Sequence, residues 1–423
     1  MRFAYVLLSY LLSPVYACYW VLRGISNRAY WDRFGQRFGI GYPRLADGCI
    51  WVHAVSVGEV QATVPLINAL RKRFPTKQIL ITTVTPTGAA RVRLLFGDAV
   101  RHCYIPFEMP IAVTRFFDAV RPEIALVMET EIWPNLYQEC GRREVPLVLV
   151  SARISPSSVN NYRKFLPLFR DTLSYGIVIA AQSEIDAERF RSLGASAERT
   201  KVTGNIKFDL EMPADLPILG SELRASVFAG RMVWIAASTH DREEQIILEA
   251  HRMIRKACPD AILVLIPRHP ERFDGVASLL QKEGFRFISR TAGELCAQET
   301  EVFLVDTMGE VPLFYAAADV AFVGGTLVPI GGHNLLEPAA LGRPVVTGPH
   351  LFNTPDIARL FAEVGASITV DDTESLAQAV LRLFANSEEA TAMGNRGRQL
   401  VEENRGALGR LMTLVNPLLS ANA

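Results

Sequence analysis

Short apolar runs alternate with longer segments whose apolar residues recur every three to four positions. The runs in the first half are "CIWVHAV" 49–55, "QILITTV" 78–84, "IALVM" 124–128, "PLVLVSA" 146–152 and "GIVIAAQS" 176–183. Between them lie segments such as 60–74, with Val60, Val64, Ile67, Leu70 and Phe74 on one helical face. That alternation predicts βαβ units feeding a parallel sheet. At 211–220, "EMPADLPILG", prolines and small residues break the pattern and predict a linker. A second series follows: "MVWIAAS" 232–238, "AILVLIP" 261–267, "RFIS" 286–289, "EVFLVD" 301–306, "VAFVGG" 320–325 and "PVVTG" 344–348. The expected fold class is α/β, with two doubly wound Rossmann-like lobes facing each other across a cleft. The expected segments are 1–45, 46–213 and 214–423. Open α/β sheets bind ligands beyond the carboxyl ends of their strands, and the unusual polar motifs here fall at such ends.

The first segment follows a different pattern. Residues 4–22, "AYVLLSYLLSPVYACYWVL", carry no charge and just suffice to cross a bilayer. Tyr5, Tyr10, Tyr16, Tyr19 and Trp20 suit an interfacial belt, and Pro14 would kink the span. Arg23, Arg28, Arg33 and Arg37 follow, which places the remainder on the cytoplasmic side by the positive-inside rule. The expectation is an uncleaved single-pass anchor. Its alternatives are a helix lying in the interface and a cleaved signal, for which only Arg2 precedes the run and no good A-x-A site follows. "VYAC" around Cys18 faintly resembles a lipoprotein cleavage box, which Tyr16 fits poorly. "RFGQRFG", 33–39, is basic, aromatic and glycine-rich, as suits a segment just under a membrane.

Composition narrows the classes further. The 423 residues exceed one ordinary core, so two domains are expected. A formal net charge of +0 gives no whole-chain steering toward nucleic acid. Cysteines 18, 49, 103, 140, 258 and 296 form no CxxC and read as reduced thiols.

Candidate chemistry sits on the strand ends. In "WVHAVSVGEV", 51–60, Glu59 follows a strand directly, with Gly58 to release the turn and Ser56 at the helix start. A carboxylate there feels the helix dipole and is expected to stay ionised, as suits a general base. The plain alternative is a first-turn Glu that only stabilises the helix. "TTVTPTG", 82–88, reads first as a helix cap and otherwise as a polar pocket wall. "METEIWPN", 128–135, puts Glu129 and Glu131 after a buried strand, for proton chemistry, polar contacts or mere solvation. Their i, i+2 spacing on extended chain points them apart. "TGNIKFD", 203–209, offers Lys207 to a phosphate or to solvent.

In the second half, "ASTHDREE", 237–244, predicts a helix capped by Ser238 or Thr239, with Glu243 and Glu244 in its first turn and N–H groups free for an anion. "IPRHPERF", 266–273, places Arg268 and His269 at a strand end, where Arg binds phosphate and His269 is structural or stacks. "DTMGEVP", 306–312, and "FVGGTLVPIGGHNLLEPAALGRPVVTG", 322–348, hold two Gly-Gly pairs, a helix starting near Asn334, and Glu337 where a ribose diol can be received. Together they predict a nucleotide site. There is no GxxxxGK[ST], no D-x-D and no metal-ligand spacing of His or Cys. A single-phosphate leaving group neutralised by Arg and Lys would need no metal.

Taken in order, "HAVSVGE", "ETEIWPN", "NIKFD", "STH..EE", "PRHPERF" and "FVGGTLVPIGGHNLLEPA" resemble the Kdo (3-deoxy-D-manno-octulosonic acid) transferases of Gram-negative lipopolysaccharide assembly. The resemblance runs from the anchor to the last strand. It implies a two-lobed GT-B glycosyltransferase fold, anchored in the inner membrane and facing the cytoplasm. It implies Kdo transfer from CMP-Kdo to a lipid A precursor (lipid IVA). One displacement with one base would invert the anomeric centre, and neither a cofactor nor a nucleic-acid partner is expected. By the same resemblance, Glu59 is the proton acceptor, and Glu129 and Lys207 stabilise the transition state. Pro267, Arg268, Met308, Gly309, Glu310, Asn334, Leu335, Leu336 and Glu337 match CMP-binding positions. The rival readings are a nucleotide-sugar epimerase on the same fold and a non-catalytic nucleotide-binding membrane scaffold.

Overall fold

The computed structural model describes residues 1–45 and 47–420; Ala46, where the first lobe was expected to begin, and the last three residues lie outside them. The chain forms two compact units, residues 1–209 with the chain from Arg405 on, and Leu210–Asn404.

The first unit holds β1 (Cys49–His53), β2 (Ile79–Thr83), β3 (Arg101–Tyr104), β4 (Pro122–Met128), β5 (Leu147–Ala152), β6 (Val178–Ala181) and β7 (Thr200–Val202). Their spatial order is β3-β2-β1-β4-β5-β6-β7, every pairing parallel. The strand order reverses between β1 and β4, so this is the switch point at which a doubly wound sheet opens for ligand. Helices cover both faces, which is why β1, β2 and β5 are buried at every position and read as unbroken apolar runs. β3 and β7 escaped the hydrophobic pattern because "RHCY" and "TKV" are short, edge-proximal and partly exposed.

The second unit holds β8 (Val233–Thr239), β9 (Ile262–Pro267), β10 (Phe287–Ser289), β11 (Val302–Leu304), β12 (Val320–Val323), β13 (Val345–Thr347) and β14 (Ser367–Thr369). Their order is β10-β11-β9-β8-β12-β13-β14, again all parallel. Here the reversal lies between β8 and β12.

Four expectations change. The helix expected over 60–74 is two, Val57–Ala62 and Val64–Arg73, parted at Thr63. Pro65 has no N–H to donate, so it is accommodated in the first turn of the second piece. The expected linker is partly helix, Leu216–Val227. The expected second lobe does not keep its C-terminus. The helix Ala407–Ser420 packs Ala407, Leu411, Val415 and Leu419 into the core of the first unit, and each such buried Leu or Val contributes roughly 1.5–3 kcal/mol. Asp209 fixes that return by accepting from Gly406 N and Leu408 N, each at 2.6 Å.

The expected single anchor helix over 4–22 is not formed. Among the described residues no single helix is long and apolar enough to cross a membrane. Two helices, Arg2–Leu11 and Ser13–Ser26, meet at a 43° bend. The break precedes Pro14, which has no N–H to give to the Tyr10 carbonyl; Ser13 Oγ donates to it instead at 2.7 Å.

Candidate active site

In the first unit the site grows from the switch point. Ser56 caps the helix Val57–Ala62, accepting from Glu59 N at 3.3 Å. The Glu59 carboxylate turns back, accepting from Val55 N at 2.9 Å and from the Ser56 hydroxyl at 3.1 Å. Ser56 and Glu59 thus brace each other at the helix start, with the carboxylate taking the N–H of Val55 rather than that of Ser56, so Glu59 does stabilise the first turn. Gly58 is not the turning residue: it sits inside this helix without a positive φ, and a Cβ there would meet only Ser56 Oγ at 3.9 Å.

The expectation that Glu59 stays ionised is corrected. Burial, and next the nearby charge of Glu129, push its carboxyl up from 4.5 to about 7, against the opposing hydrogen bonds from Val55 and Ser56. Desolvation outweighs what those two hydrogen bonds do to keep it ionised. A carboxylate poised near neutrality suits proton abstraction from a hydroxyl.

Glu129 follows β4, the strand next to β1. Its backbone is left-handed at φ 55, a conformation that costs a non-glycine residue free energy. The payoff is placement: Lys207 Nζ donates to Oε1 at 2.8 Å and Arg153 Nε to Oε2 at 2.8 Å. Burial alone would raise this carboxyl, but Lys207 and Arg153 outweigh it and hold Glu129 below the ordinary value. Glu131 turns elsewhere, accepting from Trp133 Nε1 at 2.6 Å, and burial raises its pKa. The two glutamates therefore diverge in partner and in the direction of their pKa shift. Nothing in the apolar pattern singles out Arg153; its place just beyond β5 is the one available signal. "TTVTPTG" is a cap, with Thr85 Oγ1 accepting from Gly88 N at 3.1 Å.

In the second unit, β8 and β12 flank the switch point and their ends press together. A Cβ on Gly324 would stand 2.5 Å from Ser238 O, so only glycine fits. The helix Glu243–Ala257 is not capped by Ser238 or Thr239, because Arg242 in left-handed geometry precedes it. Its first-turn carboxylates are instead buried and engaged. Glu243 accepts from Gly325 N, Thr326 N and Leu327 N at 2.7, 3.0 and 3.0 Å and from His240 N at 3.2 Å, tying the glycine loop to the helix start. Three of these N–H groups come from the glycine loop and only that of His240 from the helix-start segment expected to bind an anion, a role for Glu243 that the sequence did not disclose. Glu244 takes Thr239 Oγ1 at 3.1 Å and Arg272 at 2.8 Å.

Arg268 follows β9, with Pro267 as that strand's buried last residue. Among the described residues its guanidinium makes no ion pair within 4 Å, yet its charge reaches Glu337. Asn334 Nδ2 donates to Glu337 Oε1 at 3.0 Å, and Asn334 Oδ1 accepts from Leu336 N at 3.0 Å. Burial raises the Glu337 carboxyl, with Asn334 and Arg268 opposing. Leu335 and Leu336 are buried apolar side chains, able to meet a ligand through backbone alone. Met308 is exposed and Gly309 has φ +88. Glu310 is engaged by Arg290 at 2.9 Å, which lowers its pKa. No hydrogen bond or ion pair joins 308–310 to Arg268 or Glu337 among the described residues.

Beside Arg268, His240 and His333 point Nε2 at Nε2 across 2.8 Å with planes only 6° apart. One must donate and the other accept. Burial, then neighbouring histidine and arginine charge, lower them to about 4 and about 3. Both stay neutral at pH 7, leaving arginine as the cation there.

A family described as 3-deoxy-D-manno-octulosonic-acid transferase matches residues 32–210, and glycosyl transferases group 1 match residues 234–400. The 3-deoxy-D-manno-octulosonic acid transferase of Haemophilus influenzae is 42% identical over 100% of this chain and 99% of its own length.

The chain belongs to the Kdo transferase family.

The Bordetella pertussis 3-deoxy-D-manno-octulosonic acid transferase is 37% identical over 90% of this chain and 89% of its own. A solved putative UDP-N-acetylglucosamine 2-epimerase from Listeria monocytogenes shares the fold at TM-score 0.52 and 16% identity, covering 88% of this chain and 96% of that one. This Kdo transferase is thus a glycosyltransferase of two parallel-sheet units. Glu59, Glu129 and Lys207 belong to the first, and the nine expected nucleotide positions to the second.

Proposed function

We propose that this transferase moves Kdo from CMP-Kdo to a lipid A precursor, inverting the anomeric centre, at the cytoplasmic face of the inner membrane. The observation that carries the reading is Glu59, lifted to about 7 at the switch point of its sheet. Glu59 takes the proton of an acceptor sugar hydroxyl as that oxygen attacks the anomeric carbon. The bond from that carbon to the phosphate oxygen breaks, and CMP departs with its electron pair. One displacement assisted by one base inverts the centre. Glu129 is held ionised by two cations and offers its negative charge to the oxocarbenium character that develops on the sugar. Lys207 fixes that carboxylate. Arg268, without an ion-pair partner among the described residues, neutralises the phosphate, and Glu337 receives the ribose hydroxyls. Protein cations take the single phosphate, so the reaction proceeds without a metal.

The test is product mass after incubating purified enzyme with CMP-Kdo and tetra-acylated lipid A precursor, with and without chelator. A gain of one or more Kdo units that chelator does not suppress is expected. No gain, with CMP-Kdo bound, would overturn the acceptor; a gain abolished by chelator would overturn the metal-free step.

A further inference from the structure

The two N-terminal helices touch the first unit at both of their ends. At the start, Arg2 Nη1 pairs with Asp171 at 3.1 Å and Arg2 Nη2 donates to Gln138. Tyr5 donates to Glu108 Oε2 at 2.9 Å. Glu108 also accepts from Asn135 N at 2.8 Å and Leu136 N at 3.0 Å, so it caps the helix Pro134–Arg142 and fastens Tyr5 to it together. At the far end, Trp20 is buried against Phe107 and Met109 with the Arg37 guanidinium 3.8 Å from its ring centroid. Gly24 abuts Trp31 so closely that a Cβ would stand 2.5 Å from the ring. A helix crossing ~30 Å of hydrocarbon cannot have both ends on one folded body on one side.

The opposite faces have no protein partner. Phe3, Leu7, Leu8 and Leu11 recur at helical spacing and are 50–82% exposed; Val15, Tyr19, Leu22 and Ile25 continue the surface at 47–73%. No acidic residue occurs before Asp32, while Arg23 and Arg28 lie exposed at the far end. There a groove of about 510 Å³ is lined by Tyr19, Leu22, Arg23, Ser26, Asn27 and Tyr30.

We infer that residues 2–26 form an in-plane anchor, stapled by its inner face to the first unit and seated by its outer face in one leaflet rich in anionic phospholipid. This rests on the membrane setting proposed above and changes its topology. Apolar side chains without a charge among them favour hydrocarbon, tyrosines favour the interface, and arginines at one end favour anionic headgroups. A second copy of this chain would cover the apolar face but would leave those arginines uncompensated. The staple lands on the helix that follows the Glu129–Glu131 loop, so the anchor holds the acceptor-side carboxylates at headgroup level.

The experiment uses the full chain bound to vesicles of phosphatidylcholine with phosphatidylglycerol, and needs neither donor nor acceptor. Its failure is therefore separate from failure of the transfer reading. In a background with Cys18, Cys258 and Cys296 changed to Ala, environment-sensitive dyes are placed by Phe3→Cys, Leu11→Cys and Leu22→Cys. Quenching by brominated lipids is expected to give one shallow depth for all three. A short bis-maleimide is expected to join Arg2→Cys to Gln138→Cys in the vesicle-bound enzyme. Leu11→Cys near the bilayer centre, or Phe3→Cys reachable only from the opposite side, would overturn the inference. So would concentration-dependent dimers that bind neither anionic nor purely phosphatidylcholine vesicles. Replacing Leu7, Leu11 and Leu22 together by Ser is expected to weaken vesicle binding at least about tenfold while CMP affinity is unchanged.

Discussion

The ammonium of Lys207 lies 2.8 Å from Oε1 of Glu129, a carboxylate 78 residues earlier in the chain, and Arg153 takes its other oxygen at the same distance. Neither cation alone defines this site. Lys207→Met leaves a largely buried carboxylate with one partner, at a cost of about 1–3 kcal/mol in stability. It should also raise the Glu129 pKa and lower kcat by at least about tenfold, corresponding to ~1.4 kcal/mol of transition-state stabilisation. Lys207→Arg should recover stability more than turnover. Thermal melts and steady-state rates on the three proteins check this.

Glu59 gives a pH signature. Its carboxyl stands at about 7 in the fold against an ordinary 4.5, with burial the main cause. Between these values the folded protein holds a proton that the unfolded chain has lost. Stability from this group therefore falls as pH rises from 4.5 through 7. Transfer should do the reverse, rising through about pH 7 and levelling above it. Glu59→Gln should abolish transfer, keep CMP affinity, and raise the melting temperature at pH 8. Unchanged turnover in that variant would remove Glu59 as base.

Glu243 organises the glycine loop without being exposed to ligand. Glu243→Gln keeps the shape but replaces one acceptor oxygen with a donor facing backbone N–H groups. The expected loss is about 1–3 kcal/mol of stability, with weaker CMP binding and little change in the pH profile of turnover. Calorimetric titration with CMP alongside a melt distinguishes this from a merely surface role.

Arg268→Ala and Glu337→Ala should each weaken CMP binding, Arg268→Ala with a smaller dependence of affinity on salt, since a phosphate contact is lost. Asn334→Ala should mimic Glu337→Ala in part, because Asn334 orients that carboxylate at 3.0 Å. Wild-type affinity in all three would move the nucleotide elsewhere.

The eleven apolar runs read from the chain all became strands, because strands buried on both faces keep an unbroken apolar record. Three further strands, "RHCY", "TKV" and "SIT", left too short or too polar a record to be read. Glu59, Glu129, Lys207, Arg268 and Glu337 were legible as strand-end or loop-to-helix residues. Arg153 was not, and Glu243 was legible only as a first-turn carboxylate without its partners, since a charge's partner is set by neighbouring segments rather than by its own spacing. The first twenty-six residues show the limit most clearly. Hydropathy cannot separate a helix that crosses lipid from a pair whose inner face holds Arg2 and Tyr5 against Asp171 and Glu108.

By itself the sequence determined the parallel α/β class, the strand ends on which chemistry would sit, and the family, since local periodicity and motif order need no neighbours. The tertiary structure decided what no window of sequence contains. It set β1 beside β4, so that Glu59 feels Glu129, and it brought Lys207 and Arg153 onto one carboxylate. It desolvated Glu59 enough to outweigh the hydrogen bonds its carboxylate accepts, and it returned the last helix to the first unit. Each of these depends on distance and burial, which arise only when remote segments pack.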